Sequence, residues 1–432
     1  MPGAMQEGRR RLLLAGALLP ASVLAAGTEA TVPVLSSPPV PPQTLARDEA
    51  WWGQVARQFD ITGEVNHLEN GFWGAMGLST LQAYQQHTRE VNRGNAWYGR
   101  EAFPRDYRDV LADTAALLGV GEDEIVFTRG ATEALLALIG GYNGLRAGDQ
   151  VLYADTDYDS MISAMQWLRQ RRGAVVEQIA LPADPSHDQL LQAYADAFAR
   201  MPRLKLVLLT QVSHRHGLLL PVAEISQMAR ARGIDVIVDA AHGFGQLDYQ
   251  IPDLHADFVG INLHKWIGAP VGVGAVYIRR GRVAAIDPYM GSSDDGRIGS
   301  RVHTGTANFA AYLALPAAIE LHQRIGVANK RARLLYLRDR WTNAARAMPH
   351  IEVLASADAR LSSALASFRL RGQAGKPENQ RLQKQLQERF GIFTTARDGL
   401  ASGSCVRVTP AVFTRVGQVD ALIDALARLE IG

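Results

Sequence analysis

Seven short apolar runs separated by helical patterns constrain the fold of this 432-residue chain more than any other feature of its sequence. The runs are rich in Val, Ile and Leu and span residues 124–128, 150–154, 175–180, 204–211, 234–240, 257–262 and 274–279. Consecutive apolar residues are typical of strands that are covered on both faces, as in a parallel sheet. Helical periodicity lies between them at 132–139, 161–171, 188–200 and 221–232. This alternation predicts an α/β fold with a mainly parallel seven-stranded sheet.

The pattern changes after residue 310, where helical stretches become long and strand-like runs become few. Helices are expected over 311–346, 376–390 and 419–429, and strands over 363–370 and 405–409. We therefore predict a large domain over 49–310, including its N-terminal segment, and a smaller C-terminal α+β domain over 311–432. Five prolines between residues 31 and 46 favour extended chain, so residues 27–48 are predicted to be a linker.

Residues 1–26 have the pattern of an export signal. A basic start is followed by an apolar run over 12–26, which is too short to span a bilayer and ends in small residues. The sequence Gly8-Arg9-Arg10-Arg11-Leu12 resembles a twin-arginine signal, with Gly8 and Leu12 where Ser and Phe are usual. An ordinary secretory signal or a basic N-terminus is the alternative. We expect recognition by the twin-arginine export machinery and a periplasmic location.

Charge and cysteine content narrow the expected partners. Lys and Arg number 45 against 43 Asp and Glu, and removal of residues 1–26 takes away three arginines and one glutamate. The mature chain is therefore neutral, and neither nucleic acid nor, after export, a membrane is an expected partner. The single cysteine excludes an internal disulfide and a multi-cysteine metal site, and we predict no metal site.

Four segments place polar or aromatic residues where a predicted strand ends, which is where open α/β sheets bind ligands. The first, Thr128-Arg129-Gly130-Ala131-Thr132, joins a strand to a helix through small residues. Free backbone N–H groups at such a helix start suit a phosphate. Taken alone, the segment is also explained by a capped helix with Thr132 as its N-cap.

The second and third segments supply an aspartate and a lysine. Asp239 ends an apolar strand, where an unpaired carboxylate is costly, so it needs a cationic or N–H partner such as a protonated pyridine nitrogen. A carboxylate that caps the next loop is the alternative. Lys265 follows the next strand among apolar and aromatic neighbours, which should lower its pKa, as a Schiff-base nucleophile requires. A lysine that extends to solvent along apolar surface is the alternative.

The fourth segment, Tyr153-Ala154-Asp155-Thr156-Asp157-Tyr158, carries an aromatic ring that could stack on a planar ligand. A tyrosine of the core is the alternative. The four segments occur in the order phosphate loop, aromatic residue, aspartate and lysine. Residues 65–430 resemble the class V aminotransferase family of pyridoxal 5′-phosphate (PLP) enzymes, fold type I, and its isopenicillin N epimerase-like branch. The resemblance rests on this order of segments and on the sequence Asn262-Leu263-His264-Lys265-Trp266 with Pro270 and Gly272.

The resemblance implies roles for individual residues. Lys265 matches the lysine that holds PLP covalently, and Asp239 the aspartate that keeps the pyridine nitrogen protonated. The positions matching the rest of the cofactor site are Ala131, Thr132, Tyr158, His214, Ala241, Asn262, His264, Gly305 and Thr306. Gly305 and Thr306 match a loop that reaches the phosphate of the neighbouring subunit, which implies a homodimer. His214 stands where Asn is common, and a solvated basic loop is the alternative for it.

Arg407 matches the arginine that grips the substrate α-carboxylate. Asn70 lies in a segment similar to the active-site entrance and is also expected to bind substrate; ordinary aromatic packing is the alternative for this segment. Without the resemblance, Arg407 would be interpreted as a solvent-facing strand residue. The desulfurase branch uses a loop cysteine well before this arginine. Here the only cysteine, Cys405, is two residues before Arg407 in an apolar strand, so a buried, inert thiol is expected.

The expected activity is PLP chemistry at the α-carbon of an amino acid or a peptide-linked amine, by transamination or epimerisation. A C–S or β-lyase is the alternative, as is an enzyme that tailors a siderophore side chain, because exported relatives of this branch include a periplasmic pyoverdine-tailoring enzyme. From another class, a periplasmic solute-binding protein would share the two-domain α/β organisation without a need for Lys265.

Overall fold

The apolar runs form strands in the structure, a computed structural model that describes residues 35–182, 184–303 and 305–429. The predicted export signal, residues 1–26, lies outside the described residues. The helices are α1 (Pro42–Leu45), α2 (Glu49–Ala56), α3 (Leu78–Glu101), α4 (Phe103–Leu118), α5 (Ala131–Gly141), α6 (Asp159–Arg172), α7 (His187–Arg200), α8 (Val222–Arg230), α9 (Phe309–Leu313), α10 (Leu315–Ile325), α11 (Val327–Arg346), α12 (Lys376–Phe390) and α13 (Val416–Ala427). The strands are β1 (Asn66–His67), β2 (Ile125–Thr128), β3 (Gln150–Ala154), β4 (Val175–Ile179), β5 (Leu204–Thr210), β6 (Asp235–Asp239), β7 (Phe258–Asn262), β8 (Gly274–Ile278), β9 (Ile351–Leu354), β10 (Ala366–Leu370), β11 (Ile392–Phe393), β12 (Thr395–Arg397) and β13 (Cys405–Val408).

The seven predicted apolar runs each contain one strand of a seven-stranded sheet with the order β2-β8-β7-β6-β5-β3-β4. The five strands from β7 to β4 are parallel, whereas β8 runs antiparallel to both of its neighbours. The prediction of an α/β fold with a mainly parallel seven-stranded sheet is confirmed.

The sheet is covered on both faces, which explains why its strands are apolar throughout. In β5, Val207 and Leu209 pack into one hydrophobic cluster, and Leu206 and Leu208 pack into another on the opposite face. Because β5, β6 and β7 are adjacent and parallel, their carboxyl ends meet at one edge of the sheet. This edge brings together residues that are far apart in the sequence.

A second, four-stranded antiparallel sheet has the order β12-β13-β10-β9 and is built after residue 350. The predicted helix over 311–346 is divided into α9, α10 and α11, with Pro316 in the first turn of α10 and Gly326 before α11. The helix over 376–390 is confirmed as α12. The described residues form one compact unit, so the division into two domains at residue 310 stays a prediction. In the described ranges, no helix is both long and apolar enough to cross a membrane.

The structure differs from the expected linker where it describes residues 35–48. Leu35 and Leu45 are buried, and residues 42–45 form α1 instead of extended chain. The indole nitrogen of Trp52 donates to Leu45 O at 2.7 Å. The prolines therefore do not prevent packing, because the apolar side chains between them contribute to a hydrophobic cluster with α2.

Candidate active site

A cavity of about 540 Å³ lies at the edge of the sheet where the carboxyl ends of the parallel strands meet. Ten predicted site residues line it: Ala131, Thr132, Tyr158, His214, Asp239, Ala241, Asn262, His264, Lys265 and Arg407. The topology explains this convergence, because β6 and β7 end side by side and α5 starts directly after β2. The four segments singled out in the sequence therefore face one space.

Lys265 lies in the loop after β7, and its side-chain amine is 2.9 Å from Nε2 of His242. Burial lowers the pKa of Lys265 to about 7, and the positive charge of Arg407 contributes in the same direction. The predicted lowering of the lysine pKa is confirmed. Burial and the neighbouring Lys265 also hold the pKa of His242 well below its usual range, so its neutral ring can accept a hydrogen bond from the amine.

Asp239 ends β6 and is 3% exposed. Its Oδ1 accepts a hydrogen bond from Ala241 N at 2.9 Å, and among the described residues no cationic side chain forms an ion pair with it within 4 Å. Burial raises the pKa of Asp239, while the Ala241 amide and the nearby Lys265 act in the opposite direction. Asp239 is therefore a buried carboxylate that can still accept a hydrogen bond from a cationic N–H group in the cavity.

The start of α5 forms a cradle on the wall of the cavity. The helix begins at Ala131, so its N-cap is Gly130 and Thr132 is inside the first turn instead of being the cap. Asn262 Oδ1 accepts from Ala131 N at 2.7 Å, and the Gly130 cap provides no side-chain acceptor for the amides that follow. At φ +154°, a Cβ on Gly130 would lie 3.0 Å from Asn262 Oδ1, so glycine keeps this cradle open.

Aromatic and small side chains form the middle of the cavity. The rings of Tyr158 and His214 contact each other edge to face, with centroids 5.0 Å apart. His214 is buried, and burial together with Arg215 holds its pKa well below its usual range. The alternative of a solvated basic loop for His214 is therefore wrong. Tyr158 is 37% exposed and lines the cavity, so it is not a tyrosine of the core.

Arg407 is completely buried in β13, which contradicts its interpretation as a solvent-facing strand residue. Its guanidinium donates to the backbone oxygen of His214 at 2.6 Å and to Glu69 Oε1 at 2.5 Å. A second arginine, Arg397 at the end of β12, also lines the cavity and lies 3.7 Å from Glu69 Oε1. Two arginines that line the cavity are therefore paired with the same glutamate.

Three predicted site residues do not reach this cavity. The side-chain amide of Asn70 donates to Thr409 O at 2.9 Å and so links two backbone segments, while its expected contact with substrate stays a prediction. Gly305 and Thr306 are exposed and lie outside the cavity lining. Their expected role concerns a neighbouring subunit, so their place in one chain does not test it.

The sequence analysis did not single out His242 and Arg397, which line the cavity, or Glu69, which pairs with Arg407. His242 follows Asp239 by three residues, and its position directly after a strand end was a usable signal. Glu69 forms an isolated β-bridge with Thr409, and Arg397 ends a strand of three residues. Neither segment has a sequence pattern long enough to mark the residue as part of a site.

The residues present fit PLP. The start of α5, with the Thr132 hydroxyl and His264 beside it, offers donors for a phosphate group. Asp239 is a buried carboxylate without an ion-pair partner among the described residues, as a protonated ring nitrogen requires. Lys265 provides an amine whose pKa is about 7 for a covalent link.

The fold is shared with PLP enzymes of known structure. The cystine C–S lyase C-DES, solved as a lysine variant with glycine covalently linked to PLP, superposes with a TM-score of 0.75 at 22% identity, covering 86% of this chain and 99% of the other. A cysteine desulfurase from Thermococcus onnurineus NA1 gives a TM-score of 0.74 at 20% identity, covering 86% and 96%. Fold and site together define a PLP-dependent enzyme of fold type I.

The model of the family described as aminotransferase class V matches residues 78–422, and the chain belongs to this family. Isopenicillin N epimerase from Streptomyces clavuligerus is 30% identical over 314 residues, which cover 68% of this chain and 78% of the relative. The isopenicillin N epimerase from Amycolatopsis lactamdurans is 27% identical over 400 residues, covering 88% and 98%. A probable cysteine desulfurase from Xylella fastidiosa strain Temecula1 is 30% identical over 266 residues, covering 59% and 62%. Membership of a PLP enzyme family excludes the alternative of a solute-binding protein.

Proposed function

We propose that this enzyme transfers a proton at the α-carbon of an amino acid or a peptide-linked amine and so acts as an epimerase or an aminotransferase. The observation that carries the proposal is the amine of Lys265. It lies in a cavity beside a buried aspartate, has a pKa of about 7, and is 2.9 Å from a neutral histidine. An amine with this pKa is available at neutral pH both as a base and, after it takes the proton, as an acid.

When bound, PLP supplies an electron sink that stabilises negative charge at the substrate α-carbon. The chain contributes the remaining parts of the reaction. Lys265 removes the α-proton and returns it, and His242 accepts a hydrogen bond from its amine. With PLP bound, Asp239 would hold the proton of the ring nitrogen, and the start of α5 would bind the phosphate.

The relatives support chemistry at the α-carbon, since isopenicillin N epimerases match up to 88% of this chain. The relatives described as probable cysteine desulfurases favour a second candidate, a C–S or β-lyase. Against desulfuration through a cysteine nucleophile, the Cys405 thiol is buried and donates to Arg215 O at 3.6 Å. Burial also raises the pKa of Cys405, which disfavours its reactive thiolate form.

The test is incubation of the holoenzyme in deuterated buffer with single L- and D-amino acids and short peptides. Deuterium at the α-carbon with inversion indicates epimerisation, and a keto product indicates transamination. Lys265→Ala is expected to lower the exchange rate about 10²–10⁴-fold, the usual contribution of a general base. Lys384→Ala changes an exposed lysine of α12 and serves as the control.

Release of a thiol, sulfide or β-substituent without α-exchange in the recovered amine would favour the lyase instead. Exchange that persists unchanged in Lys265→Ala would contradict the proposed base. Peptide substrates belong in the panel because the siderophore-tailoring alternative requires a peptide-linked amine.

We also propose export in the folded state to the periplasm. The support is the Gly8-Arg9-Arg10-Arg11-Leu12 sequence together with a cofactor that is loaded onto a folded protein. Arg9→Lys combined with Arg10→Lys is expected to leave the protein in the cytoplasm, whereas Arg11→Lys is not. The measurement is cell fractionation with PLP absorbance read in the periplasmic fraction. Export of the Arg9→Lys, Arg10→Lys double variant would contradict the proposed export route.

A homodimer is the proposed active unit. Its support is the resemblance at Gly305 and Thr306 and the exposure of large apolar side chains near the cavity, where Phe72 is 69% and Met290 is 88% exposed. Sedimentation of the holoenzyme is expected to give twice the chain mass. A monomer that retains full α-proton exchange would contradict this.

A further inference from the structure

Two neighbouring aromatic side chains, Phe72 and Trp73, are exposed at the cavity. Phe72 is 69% exposed and Trp73 is 48% exposed, and their ring centroids are 4.6 Å apart. Phe72 lines the cavity that contains Lys265, whereas the exposed Met290 does not. Adjacent exposed aromatic rings in the wall of a pocket are typical of a binding surface.

The segment that carries the two rings is held at both of its ends. At one end, Asn70 donates to Thr409 O from its backbone at 3.2 Å and from its side chain at 2.9 Å. At the other end, Gly74 N donates to His264 O at 2.8 Å. Because the backbone is already fixed, a ligand that packs against the rings does not have to order the segment first.

Two glycines bring this segment close to the residues of the candidate active site. A Cβ on Gly71 would lie 2.5 Å from Arg407 Nη2, and a Cβ on Gly74 would lie 1.8 Å from Lys265 O. Phe72 and Trp73 are therefore carried by the short stretch of chain that connects these two contacts. Since Lys265 and Phe72 line one cavity, a molecule whose amine reaches Lys265 can place an attached group against the Phe72 ring.

Other elements add apolar surface to the same lining. Leu136 on α5 is 46% exposed, Tyr158 before α6 is 37% exposed, and Tyr289 lines the cavity with them. Arg129, whose side chain is 67% exposed, pairs with Glu133 at 2.8 Å, so these two lining residues add no net charge. This part of the lining favours an uncharged apolar or aromatic group.

We propose that Phe72 determines substrate specificity by binding a bulky, uncharged aromatic or apolar side chain at the α-carbon that carries the reacting amine. This proposal rests on the proposed function and names its substrate class. Trp73 is a positioning residue, because its ring contacts the ring of Phe72 and restricts where that ring can lie.

The test is isothermal titration calorimetry of the holoenzyme with two probes that lack an amine, 3-phenylpropionate and propionate. Their carbon skeletons are those of phenylalanine and alanine, so the ratio of their dissociation constants isolates the phenyl group from the shared carboxylate. The wild type is expected to bind 3-phenylpropionate at least about tenfold more tightly than propionate. Phe72→Ala should reduce this ratio to below about threefold, and Phe72→Leu should retain more of it because an apolar side chain remains. Trp73→Ala should lower the ratio, and Trp73→Phe should restore it.

Trp167→Ala is the matched control and should keep the wild-type ratio, because Trp167 on α6 is 47% exposed and lies outside the cavity lining. A wild-type ratio in Phe72→Ala would overturn the proposal. If the same variant also sedimented as a smaller species, Phe72 would belong to a contact between two copies of the chain instead. Tighter binding of succinate than of 3-phenylpropionate by the wild type would overturn the uncharged substrate class. Thermal unfolding of each variant shows that it is folded.

The outcome is separable from that of the proposed function, because neither probe has an amine that can react. A preference for 3-phenylpropionate that depends on Phe72, without α-proton exchange for any amine, keeps the specificity site and removes the proposed reaction. Exchange that depends on Lys265, with probe binding indifferent to Phe72, does the opposite.

Discussion

At the residue scale, Lys265 is partly buried and Lys330 is fully buried, with different consequences. Lys265 lines the cavity of the candidate active site. Lys330, on α11, is 3% exposed and donates to Trp266 O at 2.5 Å and to His322 Nδ1 at 2.9 Å. Because Trp266 follows Lys265 directly, Lys330 holds the backbone next to Lys265.

The protonation of Lys330 predicts a pH dependence of stability. Burial lowers its pKa from 10.5 to about 7, so between these values the unfolded chain binds more protons than the folded one. The free energy of unfolding should therefore rise with pH across this window, by up to about 1.4 kcal/mol per pH unit. Lys330→Met is expected to remove this contribution, and denaturant unfolding of holoenzyme at pH 7 and pH 9 measures it.

Lys384→Met is the control for this prediction, since Lys384 is 70% exposed. It should show the same pH dependence as the wild type. A Lys330→Met variant whose unfolding free energy changes with pH as steeply as the wild type would contradict the assignment.

At the element scale, the segment before α3 supports the loop that carries Lys265. Gly74 N donates to His264 O at 2.8 Å, and a Cβ on Gly74 would lie 1.8 Å from Lys265 O. The contact is between the backbone of Gly74 and the backbone of Lys265, so the two segments cannot separate without displacing Lys265. Only glycine permits this approach.

Gly74→Ala is therefore expected to lower both PLP occupancy and α-proton exchange at least tenfold. The matched control is Gly417→Ala in the first turn of α13, where an added Cβ meets no atom within 4 Å. That change should leave exchange intact and can stabilise the protein by about 0.4–1 kcal/mol. Absorbance of bound PLP and the exchange rate give the result, and a fully active Gly74→Ala enzyme would contradict it.

The helices and strands themselves were largely predictable, for a physical reason. The limits of β3 and α12 agree with those predicted, because local apolar runs and helical periodicity determine them. The helix over 311–346 was not divided in the prediction, although Pro316 and Gly326 mark the breaks. The packing of residues 35–48 was missed because it depends on distant partners such as Trp52.

At the scale of the whole molecule, Arg333 of α11 joins the two ends of the described chain. It is completely buried, donates to Ala46 O at 2.9 Å and to Thr414 O at 3.1 Å, and pairs with Glu49. Its guanidinium also lies over the ring of Trp52 at 5.3 Å. N-terminal and C-terminal segments are thereby held on one helix.

Arg333→Ala is expected to cost at least about 3 kcal/mol in unfolding free energy, because it leaves buried acceptors and a carboxylate without their partner. Arg340→Ala on the same helix removes an exposed pair with Asp420 and should cost less than about 1 kcal/mol. Denaturant unfolding of the two variants measures the difference. Equal losses would contradict the role given to Arg333.

The sequence by itself determined the sheet, the positions of Lys265 and Asp239 at strand ends, and the family. These follow from local patterns: apolar runs produce covered parallel strands, and neighbouring parallel strands bring their carboxyl ends together. Only the tertiary structure decided that Glu69 pairs with Arg407, that Arg397 lies beside the same glutamate, and that His242 contacts the lysine amine. Glu69 and Arg407 are 338 residues apart. Such pairings depend on how distant segments pack, and no local pattern of residues encodes them.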